Sequence, residues 1–106
     1  MASFFNKTIR NIDTSNVLAF TSSSDSTVVL SVLVANFEGT TTTDVTASLN
    51  DSVGALEAYI AYTIAVPADS NLDLLSNKLI LPSGKQLNLL SSTSGTLDAS
   101  ISYVVL

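Results

Sequence analysis

The residues of this chain that could carry chemistry are carboxylates, hydroxyls and amines, because it contains neither histidine nor cysteine. Without histidine, acid–base catalysis at neutral pH would depend on carboxylates or lysines with shifted pKa values. The many serines lack a histidine to activate them, and neither a G-x-S-x-G turn nor an S-x-x-K pair occurs. The acidic residues fall mostly in turns or on predicted solvent faces, which does not favour the opposed pair that glycoside hydrolysis needs. The sequence therefore predicts no enzymatic activity, no catalytic residues and no cofactor.

One segment copies the start of a calcium-binding loop. Asp69, Asn71 and Asp73 have the spacing of the first three ligand positions. The sixth position is Leu74 rather than glycine and the twelfth is Ile80 rather than glutamate, so the sharp bend and the bidentate carboxylate are both missing. The sequence favours turn capping for this segment, and we expect no metal site.

Two short motifs, Asn6-Lys7-Thr8 and Asn50-Asp51-Ser52, match the glycosylation acceptor pattern. The first residues lack the basic region and long apolar run of a secretory signal, and no apolar run approaches the roughly 18 residues of a membrane span. We therefore interpret both motifs as chance matches. We expect a protein made in a cytoplasm, without a signal peptide and without a membrane partner.

The charge balance argues against a nucleic-acid partner. The net charge is −5, and the four basic residues, Lys7, Arg10, Lys78 and Lys85, are scattered, whereas phosphate binding needs clustered cations. Charged residues make up 12% of the chain, so Ser and Thr must cover much of the surface. A surface with few charges is weakly protected against association, so we expect a homo-oligomer or a subunit of a larger assembly.

Apolar residues recur at every second position along most of the chain, which predicts strands separated by Gly, Pro, Asn, Asp and Ser turns. The pattern indicates an all-β fold: a single domain over residues 1–106, built as an antiparallel β-sandwich or jelly-roll-like structure of seven to nine short strands. No helix longer than a turn is predicted. A chain of 106 residues can bury a core of its own.

Several local pairings follow from the same pattern. Residues 55–66 contain helix-forming Ala and Glu but keep period two, so we predict a strand. A hairpin is predicted over residues 78–90, turning at Gly84. In the strongest run, residues 27–37, we expect one face to carry Val28, Leu30, Val32 and Val34.

Residues 1–12 are predicted to form an N-terminal arm or an edge strand. Phe4 and Phe5 are adjacent, and two adjacent side chains of a strand cannot both face the same core. Two interpretations stay open: the rings pack in the core, or they anchor the segment on a neighbouring subunit. The candidate partner interface is Phe4, Phe5, Ile9 and Arg10.

The C-terminal part of the chain has a distinctive order of turns and strands. It begins with residues 67–74, continues with Lys78-Leu79-Ile80-Leu81 and Gly84, and closes with the strand of residues 97–103. Together these stretches resemble small β-sandwich virion proteins of tailed bacteriophages. Where that family often has an acidic residue after the hairpin glycine, this chain has Lys85.

The resemblance implies a non-enzymatic structural component of a tailed-phage virion. Within that class we favour a capsid decoration (cement) protein, located in the virion, that forms a homo-oligomer such as a trimer and binds the major capsid protein. One alternative is a neck, tail or fibre-associated virion protein. Another is a carbohydrate- or host-surface-binding module, in which the rings of Tyr59 and Tyr103 would contact sugar.

Overall fold

The computed structural model describes residues 3–23 and 26–106, and these residues form nine strands joined by turns and loops. Among these residues no helix is present that could cross a membrane. The strands are β1 Ser3–Ile9, β2 Val17–Thr21, β3 Thr27–Asn36, β4 Thr43–Asn50, β5 Leu56–Val66, β6 Asn71–Asp73, β7 Leu79–Leu81, β8 Gln86–Ser91 and β9 Leu97–Val105.

The strands form two antiparallel sheets. The first has the order β1-β9-β3, with the short strands β6 and β7 both paired to the far side of β3; the second has the order β2-β8-β4-β5. Apart from the β4–β5 hairpin and the step from β6 to β7, each strand is followed by one in the opposite sheet. This is a jelly roll, and it confirms the predicted all-β sandwich.

The core lies between the two sheets and is mostly apolar. Fully buried branched side chains come from both sheets, and burying each of them contributes about 1.5–3 kcal/mol to the free energy of unfolding. The largest core residues are Ile12, Val29, Val32, Val34, Val45, Val66, Leu81, Leu87, Leu89, Leu97 and Ile101.

The predicted face of β3 is wrong in its first half. The pairing of β3 with β9 shifts register between Val29 and Ser31, which makes Leu30 an extra residue. Because side chains alternate along a strand, this bulge turns Val29 into the core beside Val32 and leaves Val28 on the outer face.

The predicted hairpin over residues 78–90 is also wrong. β7 pairs with β3 in the first sheet, whereas β8 pairs with β2 and β4 in the second. The turn between them, with Gly84 at φ 85°, therefore crosses from one sheet to the other. The strand predicted over residues 55–66 is confirmed as β5, which forms a true hairpin with β4.

Candidate functional site

Strand β1 is the most exposed regular element of the described chain. It forms one edge of the first sheet and pairs with β9 along its whole length, from Ser3 opposite Val105 to Ile9 opposite Ala99, without a register shift. Only Ile9 is partly buried, and the other residues of β1 are exposed. Of the two alternatives for the N-terminal segment, residues 3–9 are therefore an edge strand rather than a free arm.

The hydrogen bonds on either side of β9 show which backbone groups of β1 are unpaired. The carbonyl of Leu97 accepts from the Ile12 N–H on the β1 side (2.8 Å), and that of Thr96 accepts from the Phe37 N–H on the β3 side (3.0 Å). Successive residues of a strand direct their backbone groups to opposite edges, so the odd-numbered residues of β9 face β1. The register then directs the backbone groups of Phe4, Asn6 and Thr8 to the free edge.

The other sheet edges carry features that hinder pairing with another chain. The pairing of β5 with β4 has three register shifts, and that of β2 with β8 has one. β6 and β7 have three residues each. Bulges and short strands are the usual protection of exposed edges. β1 has seven residues, no bulge and no proline, so it is the edge best suited to accept a further strand.

The two adjacent phenylalanines of β1 have different environments. Phe5 lies on the sandwich side, where its ring stacks on Tyr103 with centroids 5.5 Å apart. Tyr103 in turn stacks on Phe20 of β2 at 4.4 Å. Phe4 points to the outer face and is 76% exposed. Phe5 therefore packs at the margin of the core, while Phe4 is free to contact a partner.

Phe4 begins a row of apolar side chains across the outer face of the first sheet. It lies opposite Val104, which lies opposite Val28, which lies opposite Ile80. Phe4 and Ile80 are 76% and 65% exposed, whereas Val104 between them is 8% exposed. We call Phe4, Val28, Ile80 and Val104 the outer apolar row. It joins the free edge of β1 to form one continuous surface.

The other two predicted interface residues lie at the opposite end of β1. Ile9 packs against the core, and the Arg10 guanidinium forms an ion pair with Asp98 (Nε to Oδ2, 3.2 Å) while lying 5.6 Å from the centre of the Phe37 ring. Ile9 and Arg10 also line an open, mostly apolar cavity of about 350 Å³ with Leu33. The four predicted residues therefore form two separate pairs, Phe4 with Phe5 and Ile9 with Arg10. Ile9 and Arg10 make their contacts within their own chain.

The segment that copies a calcium loop makes hydrogen bonds within its own turn and to β3. The Ser70 hydroxyl donates to the Pro67 carbonyl (2.7 Å), and Asp73 Oδ1 accepts from the N–H groups of Val32 (3.2 Å) and Leu75 (3.0 Å). Within residues 3–23 and 26–106, no three acidic side chains come together as a metal site would require. The hydrogen bonds of Ser70 and Leu75 are the turn capping that the sequence favours.

The tyrosines proposed as sugar contacts also differ. Tyr103 lies between Phe5 and Phe20 and is not an open platform. Tyr59 is 52% exposed, and its ring lies 4.6 Å from that of Tyr62, which is 60% exposed. Period two assigns Tyr62 to the core face of β5, so the sequence does not predict it as a sugar contact.

Comparison with known proteins shows the fold. No protein-family model and no curated protein matches the sequence. A subunit of Bacillus endospore appendages, described as disulfide-linked pili, is 13% identical with a TM-score of 0.55, over 98% of this chain and 85% of that one. VP2 of infectious bursal disease virus, in a subviral particle, is 12% identical with a TM-score of 0.53, over 99% of this chain and 32% of that one. The T13 particle of the same virus gives 13% identity and a TM-score of 0.52, over 98% and 30%.

The chain thus spans about a third of the length of the viral chains that it matches. These similar structures belong to a pilus and to a viral capsid, both of which are assemblies of structural subunits. At this level of identity the likeness establishes the shared β-sandwich fold.

Proposed function

We propose that this protein is a non-enzymatic structural subunit that joins an assembly by adding β1 to a strand of a neighbouring subunit. The observation that carries the proposal is the free edge of β1: a regular strand, exposed on both faces, at a sheet edge without bulges or proline. The unpaired backbone groups of such an edge are a template for pairing with a strand of another chain. Natural proteins usually protect their sheet edges, and an unprotected edge is the feature that strand addition between proteins uses.

The interaction would combine directional and apolar contacts. The free backbone groups of Phe4, Asn6 and Thr8 would form the ladder with the incoming strand, and each hydrogen bond would contribute about 0.5–1.5 kcal/mol. The incoming chain would also cover Phe4 and part of the outer apolar row. The chain contains no cysteine, so a disulfide linkage of the kind named for the endospore pili is not open to these residues.

The partner that β1 fits best is β1 of a second copy. Antiparallel self-pairing centred on Asn6 puts Phe4 opposite the partner's Thr8 and Lys7 opposite the partner's Phe5. No like charges face each other, and the aliphatic stem of Lys7 would lie along an aromatic ring. Such a contact is isologous and makes a twofold dimer, whereas a trimer would need a head-to-tail contact between different surfaces.

We place this subunit in the virion of a tailed bacteriophage, as a decoration protein bound to the major capsid protein. Support comes from the resemblance of residues 67–103 to phage virion proteins and from the fold shared with viral capsid and pilus subunits. A position in the neck, tail or fibre is the alternative, and the copy number per particle separates the two.

The test is quantitative mass spectrometry of purified particles that carry the wild-type chain, Phe4→Ser or Val53→Ser. Val53 is the matched control, because it is 85% exposed in the β4–β5 turn, away from β1. A decoration protein is expected at hundreds of copies per particle, and a neck or tail protein at a dozen or fewer. Phe4→Ser should lower occupancy several-fold, while Val53→Ser should not. Absence of the chain from particles, or equal occupancy of both variants, would contradict the proposal.

A further inference from the structure

A second surface lies on the outer face of the other sheet, at the β4–β5 hairpin. A cavity of about 240 Å³ opens there. Its polar lining includes Thr46, Ser48 and Asn50 of β4, and its aromatic lining is Tyr59 and Tyr62 of β5. We call this the tyrosine cleft. The cleft lies on the sheet that does not contain β1. A ligand bound there would give the protein a function beyond the assembly role proposed above.

Irregular pairing of β5 creates the aromatic part of this cleft. Tyr59 and Tyr62 are three residues apart, and in a regular strand such residues point to opposite faces. Ser48 pairs with Tyr59 and Ala47 with Ala61, so Ile60 is an extra residue. Three residues further along β5, Thr63 adopts a positive φ of 47°. These irregularities bring both rings to the outer face with their centroids 4.6 Å apart and inclined by 57°.

The polar lining is held rigidly. The Ser48 hydroxyl donates to Asn50 Oδ1 (2.8 Å), the Asn50 amide donates to the Gly54 carbonyl (2.9 Å), and the Thr63 N–H donates to Thr46 Oγ1 (3.0 Å). Thr46, Ser48 and Asn50 belong to the outer face of β4, yet all three are buried. Within residues 3–23 and 26–106, each keeps unused hydrogen-bonding capacity: the Thr46 hydroxyl proton, a lone pair of Ser48 Oγ and the second Asn50 N–H.

The chemistry of the lining defines the ligand. None of the described residues that line the cleft is charged, so these residues offer nothing to neutralise a phosphate, a carboxylate or a metal ion. A purely apolar ligand would leave the buried hydroxyls and amide without partners. The hydroxyl and amide groups of the cleft can both donate and accept hydrogen bonds, and they lie beside two aromatic rings. This combination suits a ligand ring that carries hydroxyl groups at its rim and C–H groups on its face. We propose that the tyrosine cleft binds a single neutral sugar unit.

The test uses saturation-transfer NMR of the purified full chain with glucose, galactose, mannose and N-acetylglucosamine, followed by titration of the strongest binder. Tyr59→Ala and Tyr62→Ala should each weaken binding by about tenfold, as expected for the loss of an aromatic contact. Phe37→Ala is the matched control, because it removes a ring that is 47% exposed and lies outside both the cleft and β1, and it should leave binding unchanged. Circular dichroism of each variant confirms that its fold is intact.

Ser48→Ala provides a second measurement that does not depend on the rings, and it should also weaken binding. The proposal is overturned if none of the four sugars binds, or if binding persists in the double variant Tyr59→Ala/Tyr62→Ala. It is equally overturned if Phe37→Ala reduces binding as much as the tyrosine substitutions do. None of these results would affect the assembly test, which uses Phe4 and particle occupancy.

Discussion

At the scale of single residues, the buried hydroxyls divide into those with a partner and one without. Thr27 and Thr43 both begin a strand and are both almost completely buried. The Thr27 hydroxyl lies 3.1 Å from that of Ser22, whereas Thr43 Oγ1 has no hydrogen-bond partner among the described residues. The same substitution should therefore act in opposite directions at the two positions.

Thr43→Val should raise the free energy of unfolding by about 1 kcal/mol, because it removes a buried hydroxyl that is desolvated but unpaired. In a domain of this size the midpoint of thermal unfolding would rise by about 4–8 °C. Thr27→Val is the control and should lower the free energy of unfolding by a similar amount, since it leaves the Ser22 hydroxyl without this contact. Urea or thermal denaturation measures both, and changes of the same sign would contradict the argument.

Residue types alone were enough to interpret the calcium-like segment, because the missing Gly and Glu are visible in the sequence. They were not enough for the tyrosines. Tyr103 and Tyr59 look alike in the sequence, but one lies in an aromatic stack and the other borders the tyrosine cleft. Tyr62 was missed because its direction depends on a bulge, which no composition or period-two pattern reports.

At the scale of elements, the two terminal strands pair with each other but contribute very differently to stability. β9 lies between β1 and β3 and buries Leu97 and Ile101 completely, whereas β1 is exposed apart from the partly buried Ile9. Deleting residues 2–10 should leave the β-sheet circular dichroism spectrum and cooperative unfolding in place, and deleting residues 97–106 should abolish both. If the first deletion also prevents folding, Phe5 and Ile9 are essential core residues and the proposed role of β1 fails.

The direction of the backbone groups in β1 allows a sharper test with proline, which lacks an N–H. Thr8 directs its N–H to the free edge, and Lys7 directs its own to β9. Thr8→Pro should therefore block self-association, measured by sedimentation, with little loss of stability. Lys7→Pro, the matched control, should lower the free energy of unfolding by roughly 1–3 kcal/mol. Association that survives Thr8→Pro would exclude strand pairing through this edge.

The sequence predicted the strands well and their partners poorly. Alternation placed β5, β8 and β9, because it reflects burial on one face of a strand. It could not show that β7 and β8 belong to different sheets, because a short turn looks the same within a hairpin as between sheets. Nor could it show that β1 has a free edge, since exposure of an edge depends on the whole sheet order.

At the scale of the molecule, the fold separates the two proposed surfaces. β1 and β5 are edge strands of different sheets, and β5 contacts β3 across the sandwich, on the side away from β1. A subunit attached through β1 and the outer apolar row would therefore keep the tyrosine cleft accessible. This arrangement would allow one small chain both to join an assembly and to present a ligand site at its surface.

Net charge decides how association should respond to salt. Each copy carries a charge of −5, so two copies repel each other, while the proposed contact consists of backbone hydrogen bonds and apolar side chains. Raising the salt concentration shortens the screening length from about 10 Å at 0.1 M to about 3 Å at 1 M, which weakens this repulsion. Self-association measured by sedimentation should therefore strengthen several-fold over that range. If self-association instead weakens as salt is raised, Lys7 and Arg10, the cations of the N-terminal segment, bind an acidic surface of the partner. β1 would then be a charged docking segment rather than a strand that extends a sheet.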